Sequence, residues 1–249
     1  MNTADWRTSS GFLPAAPGLY ARVAGFAYLM IFALAIFANF FVFEGLAAPG
    51  DASTTAANMM REEQMFRIGI ACFIAVLIFD VIVGWALFVI LRPTAPNHAL
   101  LAMVLRLVYT TAHVGVVLYL VGALQLTAGG GVAYSAFAPA ERAALAYRGL
   151  VGHNQGFAIT LIFFGVHLLT LGPLLIRAPY LPSFIGILIV LAGAGYVIDG
   201  FGGILFADYG GRIASLVAMV PALVGEGALT LWLLIMGVNK RRWDSAFDL

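Results

Sequence analysis

The chain has 249 residues, of which 62% are hydrophobic and only 10% are charged, and its formal net charge is +1. A soluble domain carries about 25% charged residues, so this composition, with a mean hydropathy of +0.98, excludes an ordinary soluble fold. The small net charge and the lack of a basic stripe in the sequence argue against a nucleic-acid partner. The composition therefore predicts an all-α protein embedded in a membrane.

Six apolar stretches are each long enough to cross a bilayer, which takes about 20 residues of helix. They predict a polytopic protein with six transmembrane helices in one compact bundle at 22–238, between a polar segment at 1–21 and a basic tail at 239–249. The first stretch is too long for the apolar part of a signal peptide, so we expect a retained helix. In chain order the stretches are Arg22–Leu46, Phe66–Leu91, Leu100–Thr127, His153–Ile176, Ser183–Phe206 and Ile213–Val238.

The connections between these stretches contain helix start and stop signals. Asp51 or Ser53 is suited to cap a short helix before the second span, and Pro93 opens a tight turn between the second and third spans. Arg142 and Arg148 flank apolar residues, which predicts a short helix lying at the membrane surface before the fourth span.

Five of the six stretches carry ionisable residues well inside the span. A charge near the bilayer centre costs about 2.5–3.5 kcal/mol on insertion scales, so such residues usually face a bundle interior and often mark a site. Counting about 1.5 Å of rise per residue puts Asp80, Arg106, His167 and Glu226 in one layer, with His113 and Asp199 just beyond it. The candidate site residues are Asp80, Arg106, Tyr109, His113, His167, Tyr196, Asp199 and Glu226.

Acid–base chemistry is the reaction type that these residues could support. We predict Glu226, Asp199 and His113 as catalytic candidates, because burial favours the neutral form of a carboxylic acid and lets it donate a proton. The predicted ligand contacts are Asp80, Arg106, Tyr109, His167 and Tyr196. Such a site suits an isomerase or cyclase acting on a lipophilic or amphipathic molecule. It equally suits a proton-linked small-molecule transporter, so the sequence leaves open whether the protein is an enzyme.

The same residues also have a structural interpretation. Asp80 and Arg106 lie on sequential, antiparallel spans and are expected to pair, and such a pair could serve helix packing alone in a sensor or accessory subunit. The expected partners are membrane lipids and a small molecule, and a homo-oligomer is left open.

No cofactor is predicted. A haem held by two histidines needs imidazoles at nearly equal depth, whereas His113 and His167 differ by about 8 Å in estimated depth. No pair of metal-binding side chains at i, i+3 or i, i+4 occurs within a span, so no metal is predicted either. The only lysine is Lys240, outside every span, which excludes a retinal Schiff base.

The order of several segments resembles a known family. These segments are ARVAGFAYLMIF, PGDASTTAANM followed by FRIGIA, LFVILRP, LRLVYT, GFAITLIFFGVHLLTLGPLLIR, YLPSFIGILIVLAGAGYVID and GEGALTLWLLIMGVN. Together they are similar to the bacterial membrane family catalogued as domain of unknown function 4386. The resemblance implies a compact helical protein of the bacterial cytoplasmic membrane, and it implies no reaction.

The distribution of Lys and Arg yields a topology prediction. The side that holds the Lys240–Arg242 cluster carries more basic residues and shorter loops, so both termini are expected in the cytoplasm. Reporter fusions after Pro93 and Arg177 should therefore give cytoplasmic signals, and a fusion near Gly130 should give an external one. The opposite pattern of signals would contradict this orientation.

Overall fold

All regular secondary structure in the described part of the chain is helical. The structure, a computed structural model, describes residues 16–128, 134–206, 208–209 and 213–247. Most of the predicted polar segment and the loop around Gly130 lie outside these residues. The described helices are α1 (Pro17–Leu46, π-helical over Phe37–Phe43), α2 (Ala52–Arg61), α3 (Glu63–Leu91), α4 (Pro96–Thr127), α5 (Pro139–Arg177), α6 (Ser183–Leu205), α7 (Ile213–Leu231, continued by the π-helical Trp232–Met236) and α8 (Lys240–Ala246).

Five of these helices, namely α1, α3, α4, α5 and α6, are long and apolar enough to span a bilayer, counted over the described residues. A sixth candidate is the end of α7 together with α8, which meet at a bend of 91°. These helices confirm the prediction of an all-α, multi-pass membrane protein. The orientation of the termini stays a prediction.

Two details of the connections were tested by the structure. Asp51 caps α2, because its side chain accepts hydrogen bonds from Thr54 N at 2.9 Å and Thr54 Oγ1 at 2.6 Å, and these bonds hold the pKa of Asp51 below its usual range. The expected separate surface helix around Arg142 and Arg148 is wrong, since these residues belong to the 39-residue helix α5. Gly149 lets this part of α5 pack closely on α4, because a Cβ there would lie 2.9 Å from the carbonyl oxygen of Tyr119.

Residue contacts divide the chain into two compact units. The first unit comprises Met1–Leu29, Asp80–Tyr109 and Ile159–Leu249, and the second comprises Met30–Phe79 and Thr110–Ala158. In the second unit, the core is aromatic and aliphatic: Phe43 packs edge to face on Phe66 and stacks on Phe73, with ring centroids 5.3 and 5.7 Å apart. These apolar contacts bind α1 and α3 together in that unit.

In the first unit, α5 and α6 pack through glycines that repeat every seven residues on both helices. A Cβ at Gly193 would lie 2.8 Å from the carbonyl oxygen of Gly165, and a Cβ at Gly186 would lie 2.7 Å from that of Gly172. Small residues let helix backbones approach this closely in membranes, where packing contacts replace the hydrophobic effect. The glycines therefore fix the register of α5 against α6.

The C-terminal tail also contributes a helix to the first unit. Asn239 caps α8 by accepting a hydrogen bond from Arg242 N at 3.1 Å. Trp243 is buried and meets Tyr180 edge to face, with ring centroids 4.6 Å apart. The basic side chains of this segment therefore stand on a helix that is anchored by an aromatic contact.

We expect Gly193→Ala to lower stability by about 1–3 kcal/mol, because its methyl group would press on backbone atoms that cannot move independently. The matched control is Gly203→Ala on the same helix, where nothing lies within 4 Å of the added Cβ. This control should be neutral or slightly stabilising, since alanine favours helix over glycine. Thermal unfolding in detergent would measure both variants, and equal effects would contradict the role of the close packing.

Candidate functional site

The guanidinium of Arg106 is buried in the first unit, with 1% of the residue exposed. Its Nη2 donates to the carboxylate of Asp80, and its Nε donates to the Asp80 backbone carbonyl at 3.1 Å. α3 and α4 are sequential and joined by a turn of a few residues, which brings the two side chains together. The predicted pairing of Asp80 with Arg106 is therefore confirmed.

Two further side chains contact the same guanidinium. Nη1 of Arg106 donates to Tyr28 Oη at 2.8 Å and lies 3.4 Å from His167 Nε2. His167 Nδ1 is 2.7 Å from the carbonyl oxygen of Ala102, which can only accept, so Nδ1 carries the proton and Nε2 is an acceptor facing Arg106. His167 is thus held in one tautomer between a backbone carbonyl and a cation.

Glu226 forms a second polar pair in this unit, with Tyr196. The hydroxyl of Tyr196 donates to Glu226 Oε1 at 2.7 Å, and Glu226 is 6% exposed. Gly225 lets α7 approach α6 closely, because a Cβ there would lie 2.8 Å from the Leu188 carbonyl oxygen. Ion pairs in the described part of the chain are Arg61–Glu62, Arg67–Glu63 and Arg106–Asp80. Glu226 is therefore bonded to a neutral phenol and is outside these ion pairs.

Phe164 of α5 stands next to residues of both polar pairs. Its ring centroid lies 4.9 Å from that of Tyr109, 5.6 Å from that of His167 and 5.4 Å from that of Tyr196. The Arg106 guanidinium carbon is 5.3 Å from the centroid of the Phe164 ring and 4.8 Å from that of Tyr28. These distances suit cation–π attraction, so the cation is enclosed by aromatic faces as well as by acceptors.

The structure gathers six of the eight candidate residues into one cluster. This polar cluster consists of Asp80, Arg106, Tyr109, His167, Tyr196 and Glu226, joined by Tyr28 and Phe164. Tyr28 was not among the predicted site residues, because the sequence pattern around it does not distinguish it from a tyrosine that only packs in the core.

The other two candidates lie elsewhere. Asp199 is half-buried on α6, one turn beyond Tyr196. His113 belongs to the second unit, where its ring lies 6.2 Å from that of His153 and 4.8 Å from that of Phe157, centroid to centroid. Catalytic roles for Asp199 and His113 stay predictions.

The fold and the cluster together define a multi-pass helical membrane protein with a buried polar centre. The model of the family described as "Domain of unknown function (DUF4386)" matches residues 23–237, and the chain belongs to this family. The resemblance seen in the sequence segments is thereby confirmed.

A relative is known from an archaeon. An "Uncharacterized protein" of Archaeoglobus fulgidus is 32% identical over 162 residues, which are 65% of this chain and 79% of that protein. No solved structure matches the chain. Because this relative is archaeal, location in a bacterial inner membrane stays a prediction.

We expect Asp80→Asn and Arg106→Gln each to lower stability by about 3–5 kcal/mol, because each leaves an uncompensated polar or charged group in the interior. The double variant should recover much of this loss, since it leaves no buried charge. Unfolding in detergent across the four proteins would measure the coupling.

The exposed pair Arg67–Glu63, with Arg67 Nη2 2.7 Å from Glu63 Oε1, is the matched control. The corresponding variants of that pair should couple by only about 0.3–0.5 kcal/mol, because water screens both charges. Additive losses at Asp80 and Arg106 would contradict the pairing.

Proposed function

We propose that the polar cluster of the first unit binds a lipophilic or amphipathic small molecule and that Glu226 exchanges a proton with it. The observation that carries this proposal is the hydrogen bond between Glu226 and Tyr196, a buried carboxyl group held by a neutral donor. A carboxyl group in such a setting can gain or lose a proton without breaking an ion pair, which is what an acid–base group requires.

Asp80 is less suited to this role. Its carboxylate is locked to Arg106, so protonating Asp80 would strand a buried cation at a cost of several kcal/mol. The Tyr196 hydroxyl, in contrast, can donate to Glu226 or accept from it, and so it supports both protonation states. In this proposal the two acids of the cluster have different roles: Asp80 neutralises the cation and Glu226 carries the exchangeable proton.

Arg106 supplies a fixed positive charge within an aromatic enclosure. Charge that develops on a bound molecule would be stabilised by a cation that is already oriented and needs no reorganisation. A small cavity of about 10 Å³ beside His167, also lined by Gly84 and Met103, has room for one water at most. We therefore place the approach of the ligand on the Glu226 side, where Tyr196 is only half-buried.

Proton movement at Glu226 suits an isomerase- or cyclase-like reaction on a membrane-dissolved substrate. A proton-linked transporter is the second candidate, and the irregularity of α7 favours it. This helix contains Pro221, turns π-helical at Trp232 and is followed by a 91° bend. Interrupted helices that carry a polar residue are common at the substrate sites of transporters.

We expect Glu226→Gln to keep the melting temperature while reducing the retained small molecule about tenfold or more, because the amide cannot exchange the proton. Native mass spectrometry and solvent extraction of the purified protein would measure retention. Tyr196→Phe should give a smaller loss, since it removes only the hydroxyl. The control is Glu44→Gln, the same change at an exposed residue.

The outcomes of these experiments distinguish between an enzyme, a transporter and a purely structural role of the cluster. Unchanged retention in Glu226→Gln would remove this residue from the site, and an unfolded variant would favour the packing role of a sensor or accessory subunit. In proteoliposomes, entry of a proton with the extracted molecule would favour the transporter, whereas conversion of that molecule without proton entry would favour the enzyme.

A further inference from the structure

A groove of about 550 Å³ opens in the second unit, between α4 and α5. Its walls are mainly apolar, with Leu118 and Leu126 from α4, Leu145 from α5 and Phe137 from the connection before α5. The cation among its lining residues is Arg148, and the lining contains no acidic side chain. The groove therefore suits a molecule with a long apolar part and a negative charge.

Two glycines on α4 keep this groove open. Gly115 and Gly122 are seven residues apart, and a Cβ at either would meet no described atom within 4 Å. Gly152 on α5 differs, because a Cβ there would lie 2.8 Å from the Tyr119 ring. Glycine inside a helix costs about 1 kcal/mol relative to alanine. Helix packing within the described structure does not require Gly115 and Gly122, whereas an occupant of the groove would use the space they leave.

Arg148 is exposed on the wall of the groove, and its described hydrogen bond is to a neutral group. Its Nη1 donates to Gln155 Oε1 at 3.1 Å, which is a neutral partner. The described ion pairs do not include Arg148, and Glu141, one acid near it on α5, accepts from the Ala138 backbone N at 2.7 Å. A planar guanidinium presents five N–H donors, and the bond to Gln155 uses one of them, so the geometry is well matched to phosphate oxygens.

The position of Arg148 along the chain suits the headgroup layer of a bilayer. It precedes the apolar stretch that begins at His153 by about 8 Å of helical rise. The α4 side of the groove, from Gly115 to Leu126, extends over about 16 Å, long enough for much of an acyl chain. Cationic side chains at this level of a membrane helix commonly contact lipid headgroups.

We propose that this groove is a binding site for an anionic phospholipid, with one acyl chain over Gly115 and Gly122 and the phosphate at Arg148. A second copy of the chain is the competing occupant. A symmetric copy seated on the same groove would bring two Arg148 residues into one interface whose lining offers no acid. Charge complementarity therefore favours the lipid. The site lies in the second unit and does not depend on the proposed function.

The test is a lipid titration of the detergent-purified protein followed by native mass spectrometry. Phosphatidylglycerol should bind about fivefold more tightly than phosphatidylcholine with the same acyl chains. This ratio corresponds to the binding free energy that one basic side chain contributes near an anionic headgroup. Glycerol phosphate without acyl chains should not bind detectably. Equal binding of the two phospholipids, or binding of glycerol phosphate alone, would overturn the proposal.

Variants test the two halves of the site separately. Arg148→Gln should abolish the preference for phosphatidylglycerol, whereas Arg177→Gln, the same change at the other end of α5, should retain it. Gly122→Leu should weaken binding of both phospholipids by filling the groove. Gly203→Leu, also at a position open to space, should not.

A preference that survives Arg148→Gln, or phospholipid binding that survives Gly122→Leu, would overturn the site. A dimer that Gly122→Leu dissociates, with phospholipid binding unchanged, would assign the groove to a second copy.

Discussion

The buried charge of Arg106 is the constraint around which the first unit is built. A guanidinium in a low-dielectric interior is tolerated only when its N–H groups meet acceptors and its charge meets an anion. Here the anion is Asp80, and Tyr28 and His167 supply further acceptors. These partners stand on α1, α3 and α5, so satisfying one side chain of α4 fixes the position of three other helices.

The glycines of α5, α6 and α7 make the second polar pair possible. Tyr196 on α6 and Glu226 on α7 meet at 2.7 Å where these two helices approach closely, with Gly225 against the Leu188 carbonyl oxygen, and Gly165 leaves room on α5 for the Tyr196 Cβ. In a membrane such approach is stabilised by packing contacts, since lipid provides no hydrophobic drive between helices. The positions of the candidate residues Tyr196 and Glu226 thus depend on glycines, which have no reactive side chain.

The fold was largely predictable from the sequence, because transmembrane helices can be recognised by the length and hydropathy of their apolar stretches. The pairing of Asp80 with Arg106 was also predictable, since a charge in a span requires a partner and the adjacent antiparallel span offered one. Tyr28 was not, because its role comes from a tertiary contact with Arg106 that leaves no trace in local periodicity. The continuity of α5 was missed because the pattern of Arg142 and Arg148 around apolar residues also fits a short surface helix, and local pattern does not show that the segment runs on into the next span.

The two acids of the polar cluster differ in what their neighbours allow. Asp80 faces a permanent cation, so its charge belongs to the structure and cannot vary without a large loss of stability. Glu226 faces a phenol, whose hydroxyl adapts to either protonation state, and it sits close to an aromatic enclosure around that cation. Two acids placed in different electrostatic surroundings commonly take different roles, one fixed and one reactive. The geometry therefore makes the Asp80–Arg106 pair a structural element, whereas Glu226, which belongs to none of the described ion pairs, is the acid on which the proposed proton exchange depends.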